Sequence, residues 1–155
     1  MSSKPDCTEE SEPPSITAFG EARSAALVER VCAVAHLPPS ARVAIIGRRT
    51  LPFVLEFLKR GCSAVRSLQP GAPSPDCEAA DLAWIVDVGV GELDDALRAA
   101  RLRAGSTGRV IVEGAASSNP TSIRDRTVAH GLDVVSFDHR ACRLVLMSTR
   151  PAMAA

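Results

Sequence analysis

The stretch Val43-Ala44-Ile45-Ile46-Gly47 (residues 43–47) decides the fold class of this chain. Four consecutive apolar residues that end in glycine are typical of a buried parallel strand, at the point where a ligand-binding loop begins. The next residues are Arg48-Arg49-Thr50-Leu51-Pro52, which contain no second or third glycine. Such glycines let the backbone approach a phosphate or a cofactor closely. The stretch therefore predicts an α/β scaffold whose ligand-holding loop is reduced.

The composition indicates one domain without a strong electrostatic preference. The chain has 155 residues, 46% of them hydrophobic, and its 18 basic and 18 acidic residues give a formal net charge of zero. Binding to nucleic acid or to an acidic membrane grows with the number of available cations, so we expect neither partner. Aromatic residues make up 3% of the chain, which disfavours a base-stacking platform. Abundant Ala, Arg and Pro are typical of a bacterial, GC-rich composition.

The cysteines and the N-terminal residues indicate the compartment. Five cysteines occur without a C-x-x-C pair, and the first residues are polar and acidic. We therefore expect reduced thiols, no signal peptide and a cytoplasmic location. The spacing of the cysteines and of the three histidines does not fit a zinc site, so no metal is expected.

Hydrophobic patterning divides the chain into tails and one α/β domain. Residues 1–19 are rich in Ser, Pro and Glu and predict a disordered tail, residues 20–151 form the domain, and residues 152–155 are a C-terminal tail. A helix over about residues 21–36 is followed by strands that alternate with helices. The predicted strands are 42–47, 63–68, 82–88, 109–113, 132–138 and 143–149, and the predicted helices are 51–60, 92–103 and 121–130. This order predicts a three-layer αβα sandwich, with a mostly parallel sheet that ends in an antiparallel hairpin.

This layout resembles the class I S-adenosylmethionine-dependent methyltransferase fold, which is Rossmann-like. Residues 41–47 are similar to the family's first strand and the start of its cofactor loop, and residues 81–87 are similar to its fourth strand. Residues 97–112 are similar to the helix and strand that follow, and residues 131–146 to the closing hairpin. The resemblance covers about residues 21–150 and implies a sheet of about six strands.

The chain departs from this family at the places that hold the cofactor. The family has G-x-G-x-G in its first loop, whereas only Gly47 is present here. The family's second strand ends in an acid that binds the ribose hydroxyls, whereas Leu68-Gln69 stands here, and an amide is a weaker acceptor than a carboxylate. Residues 70–80 are too few for the family's third strand and the helix before it, so we expect that strand to be missing. The resemblance thus implies a degenerate member.

The candidate cofactor site consists of Gly47, Arg48, Gln69, Asp87 and Val88. Arg48 and its neighbour Arg49 either bind an anion at the start of the next helix or are solvated arginines of a tight turn. Asp87 either faces a ligand or belongs to the N-terminal cap of the next helix. The sequence identifies no catalytic residue.

A second group of polar residues follows the next strand. Glu113 ends that strand, and Ser117, Ser118 and Asn119 come shortly after it. These three side chains either donate hydrogen bonds to a ligand at the same edge or cap the helix that starts near Pro120.

Two functions remain for such a chain. The first is a small methyltransferase-like protein with a weakened pocket for S-adenosylmethionine or a nucleotide, with or without catalytic activity. The alternative is a non-enzymatic interaction or assembly module, because a missing third strand leaves the second strand as an edge that can pair with a second copy or a protein partner. A Rossmann-like binder of another nucleotide, such as a nicotinamide nucleotide, is disfavoured by the absent glycines and the absent acid.

Overall fold

A computed structural model of the chain describes residues 16–71, 79–113, 120–138 and 143–148. The predicted succession of helices and strands is confirmed, and a short 3-10 turn (Val90–Glu92) precedes the third helix. None of the helices in these ranges is long and apolar enough to cross a membrane. The helices are α1 (Ile16–Ala35), α2 (Leu51–Lys59), α3 (Leu93–Ala104) and α4 (Pro120–Ala129), and the strands are β1 (Arg42–Gly47), β2 (Ala64–Leu68), β3 (Leu82–Val86), β4 (Arg109–Glu113), β5 (Leu132–Asp138) and β6 (Arg143–Ser148).

The strands form one mixed sheet in the order β2-β1-β3-β4-β6-β5. The first four strands in this order are parallel, whereas β6 runs antiparallel to both β4 and β5. This confirms the predicted sheet and its terminal hairpin. Strand β2 lies at one edge of the sheet in the part of the chain that is described. Residues 69–71 and 79–81 contain no strand, and the rest of the segment in which a missing strand is predicted lies outside the described residues.

Two apolar clusters lie on opposite faces of the sheet. Helices α1 and α2 cover one face, and α3 and α4 cover the other. Successive residues of a strand point to opposite faces, so the fully buried neighbours Ile45 and Ile46 of β1 belong to different clusters. The single tryptophan, Trp84, is fully buried in the cluster on the face that α1 and α2 cover, where its ring contacts those of Phe53 and Phe57 edge to face. The fold is therefore the predicted three-layer sandwich.

Several boundaries differ from those predicted. Helix α1 begins at Ile16, within the segment predicted as a tail, because residues 16–19 contain none of the prolines and glutamates on which that prediction rests. Residues 1–15 lie outside the described ranges. Strand β3 ends at Val86 rather than at residue 88, since Asp87 has a φ of 55° and a left-handed residue cannot continue a strand.

Candidate functional site

The chain leaves β1 and β3 toward opposite faces of the sheet. Helix α2 follows β1 and packs on the α1 face, whereas α3 follows β3 and packs on the other face. The two strands are parallel neighbours, with Gly47 opposite Val86. In open α/β sheets a crevice forms at such a point, outside the carboxyl ends of the strands, and ligands bind there. We define the switch-point crevice by Gly47, Arg48, Asp87 and Glu92.

The structure brings the predicted site residues to this edge. Because Ile46 is opposite Leu68 in the β1–β2 register, Gln69, Arg48 and Asp87 follow the ends of three adjacent strands. These three residues are exposed, whereas Val88 is half-buried and packs against the core on the α3 face. The cap region predicted after Asp87 is present: Glu92 is the N-cap of α3, and Asp94 and Asp95 lie in its first turn. Asp87 itself is not a cap residue, because the N-cap of the 3-10 turn is Gly89.

Gly47 is required by the sheet itself. A Cβ atom at this position would lie 1.9 Å from the carbonyl oxygen of Val86 and 3.0 Å from its carbonyl carbon. These are backbone atoms of the neighbouring strand, which cannot move aside as a side chain can. The glycine that the family pattern assigns to a cofactor loop therefore has a packing role of its own.

Two other residues at this edge have a backbone conformation that favours glycine. Arg49 has a φ of 54° and Asp87 a φ of 55°. For a residue with a Cβ atom this region costs about 1–2 kcal/mol. Arg49 stands two residues after Gly47, at the position of the second glycine of the G-x-G pattern. The backbone at position 49 thus has a conformation that favours glycine, although the residue there is an arginine with an exposed side chain.

An ion pair crosses the switch-point crevice. A terminal nitrogen of Arg48 donates to Oε1 of Glu92, and the two side chains are 65% and 33% exposed. Arg48 lies on the segment that leads to α2, and Glu92 lies at the end of the turn that leads to α3. Sequence reasoning did not find this contact, because the partners are 44 residues apart and no local spacing relates them.

Comparisons with known proteins support the fold. No protein-family model and no curated protein matches the sequence. The TehB-like SAM-dependent methyltransferase from Corynebacterium glutamicum matches in structure with a TM-score of 0.62 and 13% identity, over 87% of this chain and 97% of that one. SAM-bound CalS10, an amino pentose methyltransferase from Micromonospora echinaspora, matches with a TM-score of 0.62 and 11% identity, over 86% and 95%. The ribosomal protein L11 methylase from Lactobacillus delbrueckii subsp. bulgaricus matches with a TM-score of 0.63 and 14% identity, over 84% and 79%.

The chain has the class I methyltransferase-like fold. Identities of this size show the fold alone, so the chemistry depends on the residues at the crevice. In this methyltransferase-like fold, Gln69 and Asp87 provide exposed hydrogen-bonding groups after β2 and β3, the strands on either side of β1, which suits the hydroxyl groups of a nucleoside. The Arg48–Glu92 pair and Arg49 lie at the same edge of the sheet. The residues at this edge therefore suit a nucleoside cofactor only in part.

A buried ion pair lies farther along the same edge of the methyltransferase-like sheet. The Nε atom of Arg143 donates to Oε1 of Glu113 at 2.5 Å, and the two side chains are 7% and 8% exposed. The residues are directly opposite in the β4–β6 register. Since each charge satisfies the other, the pair fixes β6 against β4. Ser117, Ser118 and Asn119, the predicted donors beside Glu113, lie outside the described residues.

The other reactive groups among the described residues lie in neither a metal-binding nor a nucleophilic arrangement. Within the described ranges, no three His, Cys, Asp or Glu side chains are grouped so that they could hold a metal ion. Burial raises the pKa of the Cys32 and Cys62 thiols, and for Cys62 the nearby Cys32 raises the pKa further. Both remain neutral thiols at neutral pH, which disfavours a role as nucleophiles.

Proposed function

We propose that this chain is a small methyltransferase-like protein that binds S-adenosylmethionine or a related nucleotide weakly, in the switch-point crevice. The observation that carries the proposal is the Arg48–Glu92 ion pair, which crosses the crevice between the segments leading to α2 and α3. The crevice would lie at the edge where ligands bind in this class of sheet, and a ligand would have to compete with this pair to enter it.

The proposal assigns roles to the residues at the crevice. S-adenosylmethionine supplies a methyl group on a sulfonium ion when it is bound. Asp87 and Gln69 would accept hydrogen bonds from its hydroxyl groups, and Val88 would give an apolar contact. The described residues include no group placed as a general base, so methyl transfer, if it occurs, would depend on positioning the acceptor.

The expected affinity follows from the contacts that are lost. Each missing hydrogen bond to a polar ligand costs about 1–3 kcal/mol. Two such losses of about 1.4–2 kcal/mol each, in the lower part of this range, reduce a micromolar affinity of about 8 kcal/mol to roughly 4–5.5 kcal/mol, which corresponds to a Kd of about 0.1–1 mM.

Isothermal titration calorimetry with S-adenosylmethionine and S-adenosylhomocysteine tests the proposal. We expect binding in this range, a weaker affinity for Asp87→Ala, and no change for Glu56→Gln. Glu56 is a matched control because it lies on α2 and pairs with Lys59 of the same helix at 3.2 Å. Absence of heat with either ligand at millimolar concentration would remove the proposal.

A second candidate function is a non-enzymatic interaction module. Three leucines of α2 are largely exposed, with relative exposures of 66% for Leu51 and 49% for both Leu55 and Leu58. Their i, i+4, i+7 spacing places them in one stripe on the helix, beside a groove of about 320 Å³ between α1 and α2. A homodimer or a protein partner would cover this surface or the β2 edge. Light scattering that shows a monodisperse monomer at high concentration would exclude self-association.

A further inference from the structure

We propose that Glu92 is an internal competitor for Arg48: its carboxylate pairs with the guanidinium until an anionic group of a ligand in the switch-point crevice takes its place. The inference rests on the proposed function, because the ligand enters the same crevice. It adds the chemistry of the ligand, which carries a carboxylate or a phosphate, and a regulation, which is competition by a carboxylate of the chain itself.

The position of the ion pair distinguishes it from the other ion pairs of the described residues. The Lys59–Glu56 and Arg98–Asp95 pairs each join residues three apart in one helix, and the Arg143–Glu113 pair joins two neighbouring strands. The His130–Asp94 contact joins the end of α4 to the first turn of α3, on one face of the sheet. The Arg48–Glu92 pair instead joins the two segments that diverge at the end of the β1–β3 pair. A ligand group that enters between these two segments therefore meets the pair.

The exposure of the pair makes it displaceable. Arg48 is 65% exposed and Glu92 is 33% exposed, so water screens their attraction. Exposed pairs of this kind shift an equilibrium by a factor of about five or less. A guanidinium also binds a carboxylate or a phosphate in the same planar geometry, so a ligand can reproduce the contact that Glu92 makes.

Neighbouring charges favour an anion once Glu92 is displaced. Arg49 follows Arg48 directly, is exposed, and makes no ion pair with any described residue. Arg48, Arg49, Asp87 and Glu92 balance in charge at this edge. Displacement of the Glu92 carboxylate leaves an excess of positive charge beside Arg48, which attracts an anionic group.

The test combines three variants with ligands that differ in their anionic group. S-adenosylhomocysteine carries a carboxylate, whereas 5′-methylthioadenosine has the same nucleoside thioether without one. Both are titrated by calorimetry into the wild-type chain, Glu92→Gln, Arg48→Gln and the control Glu56→Gln. Separately, inorganic phosphate is titrated while the NMR signals of the arginine Nε–H groups are followed.

For Glu92→Gln we expect about two- to fivefold tighter binding of S-adenosylhomocysteine, and a stronger response of the Arg48 signal to phosphate. For Arg48→Gln we expect weaker binding of S-adenosylhomocysteine. The affinity for 5′-methylthioadenosine should be the same in all four proteins.

Two results would overturn the inference. One is that Glu92→Gln changes neither the affinity for S-adenosylhomocysteine nor the phosphate response. The other is that both crevice variants tighten both nucleosides equally, because the pair would then be an obstacle without a ligand-binding role. If no nucleoside binds any variant, the proposed function fails, and the phosphate titration alone decides whether Glu92 competes for Arg48.

Discussion

Gly47 and Arg49 lie two residues apart, and for each of them the sequence allows a functional and a structural interpretation that it does not separate. Gly47 resembles the remnant of a cofactor loop, yet the carbonyl of Val86 explains why no side chain fits there. Arg49 looks like an ordinary turn residue, yet its backbone is in the left-handed region. Both facts depend on how β1 approaches β3, a contact between residues distant in sequence.

We expect Gly47→Ala to lower the free energy of unfolding by about 2–3 kcal/mol, because a Cβ atom 1.9 Å from the Val86 carbonyl oxygen forces the strands apart. Gly91→Ala is the control, since a Cβ atom there meets nothing within 4 Å, and its effect should stay within about 1 kcal/mol. Urea unfolding followed by the fluorescence of the buried Trp84 measures both. Equal effects of the two substitutions would contradict the packing role of Gly47.

Arg49→Gly should raise the free energy of unfolding by about 0.5–1 kcal/mol, since glycine adopts a φ of 54° without the strain of a Cβ atom. Arg48→Gly, next to it, should lower stability, because Arg48 has no positive φ and its ion pair with Glu92 is lost. The same urea unfolding experiment applies. If Arg49→Gly instead lowers the free energy of unfolding, the Arg49 side chain makes a contact that stabilises the fold by more than the backbone strain costs.

Two half-buried thiols, those of Cys32 and Cys62, predict a stability loss at alkaline pH. Burial raises the pKa of Cys32 and of Cys62 above the ordinary thiol value of 9.0, so the unfolded chain loses these protons at a lower pH than the folded chain. The stability contribution is complete below about pH 9 and decreases as the pH rises from there through the raised values. Unfolding measured from about pH 7 to about pH 10 should show a smaller decline in Cys32→Ala/Cys62→Ala than in the wild type. An identical decline in the stability of the wild type and of the double variant would show that the two thiols do not cause it.

At the scale of elements, β6 depends on one buried ion pair as well as on its hydrogen bonds. Arg143 and Glu113 face each other across the β4–β6 ladder and are almost fully buried. Removal of one partner leaves an uncompensated charge in the interior, whereas replacement of both by apolar residues of similar size removes the desolvation penalty as well.

Glu113→Gln and Arg143→Met should each lower the free energy of unfolding by about 3 kcal/mol, and Glu113→Leu/Arg143→Met should cost much less than the two single losses together. The exposed Lys59–Glu56 pair is the control, and Glu56→Gln should cost below about 0.5 kcal/mol. Chemical unfolding of the set gives the coupling energy. Additive losses in the double variant would show that the two charges do not depend on each other.

The elements were largely predictable because their signals are local. Continuous apolar runs gave β1, β3 and β4 within two residues, and the glycine after α2 marked its end. The errors fall where local patterns end: β3 stops at Asp87, whose left-handed backbone no periodicity reveals, and α1 starts earlier than its buried face indicates.

At the scale of the whole molecule, the sheet order follows from the sequence better than the state of the site does. Alternating strands and helices require crossovers and a switch point, so the edge that holds Gly47, Gln69 and Asp87 was predictable. The Arg48–Glu92 ion pair at that edge was not predictable, because the two residues meet only after β1 and β3 pair. A family pattern indicates which residues are absent from a site, whereas only coordinates show what has taken their place.

The central claim is that the methyltransferase-like fold keeps a switch-point crevice that binds an adenosyl ligand weakly. The most direct test is a titration of the isotope-labelled chain with S-adenosylhomocysteine, followed by the backbone amide signals in NMR. The account predicts shifts concentrated at residues 47–49, 69 and 87–92, with a Kd of about 0.1–1 mM. Shifts elsewhere, no shifts at millimolar ligand, or a Kd of about 1 μM or below would contradict it.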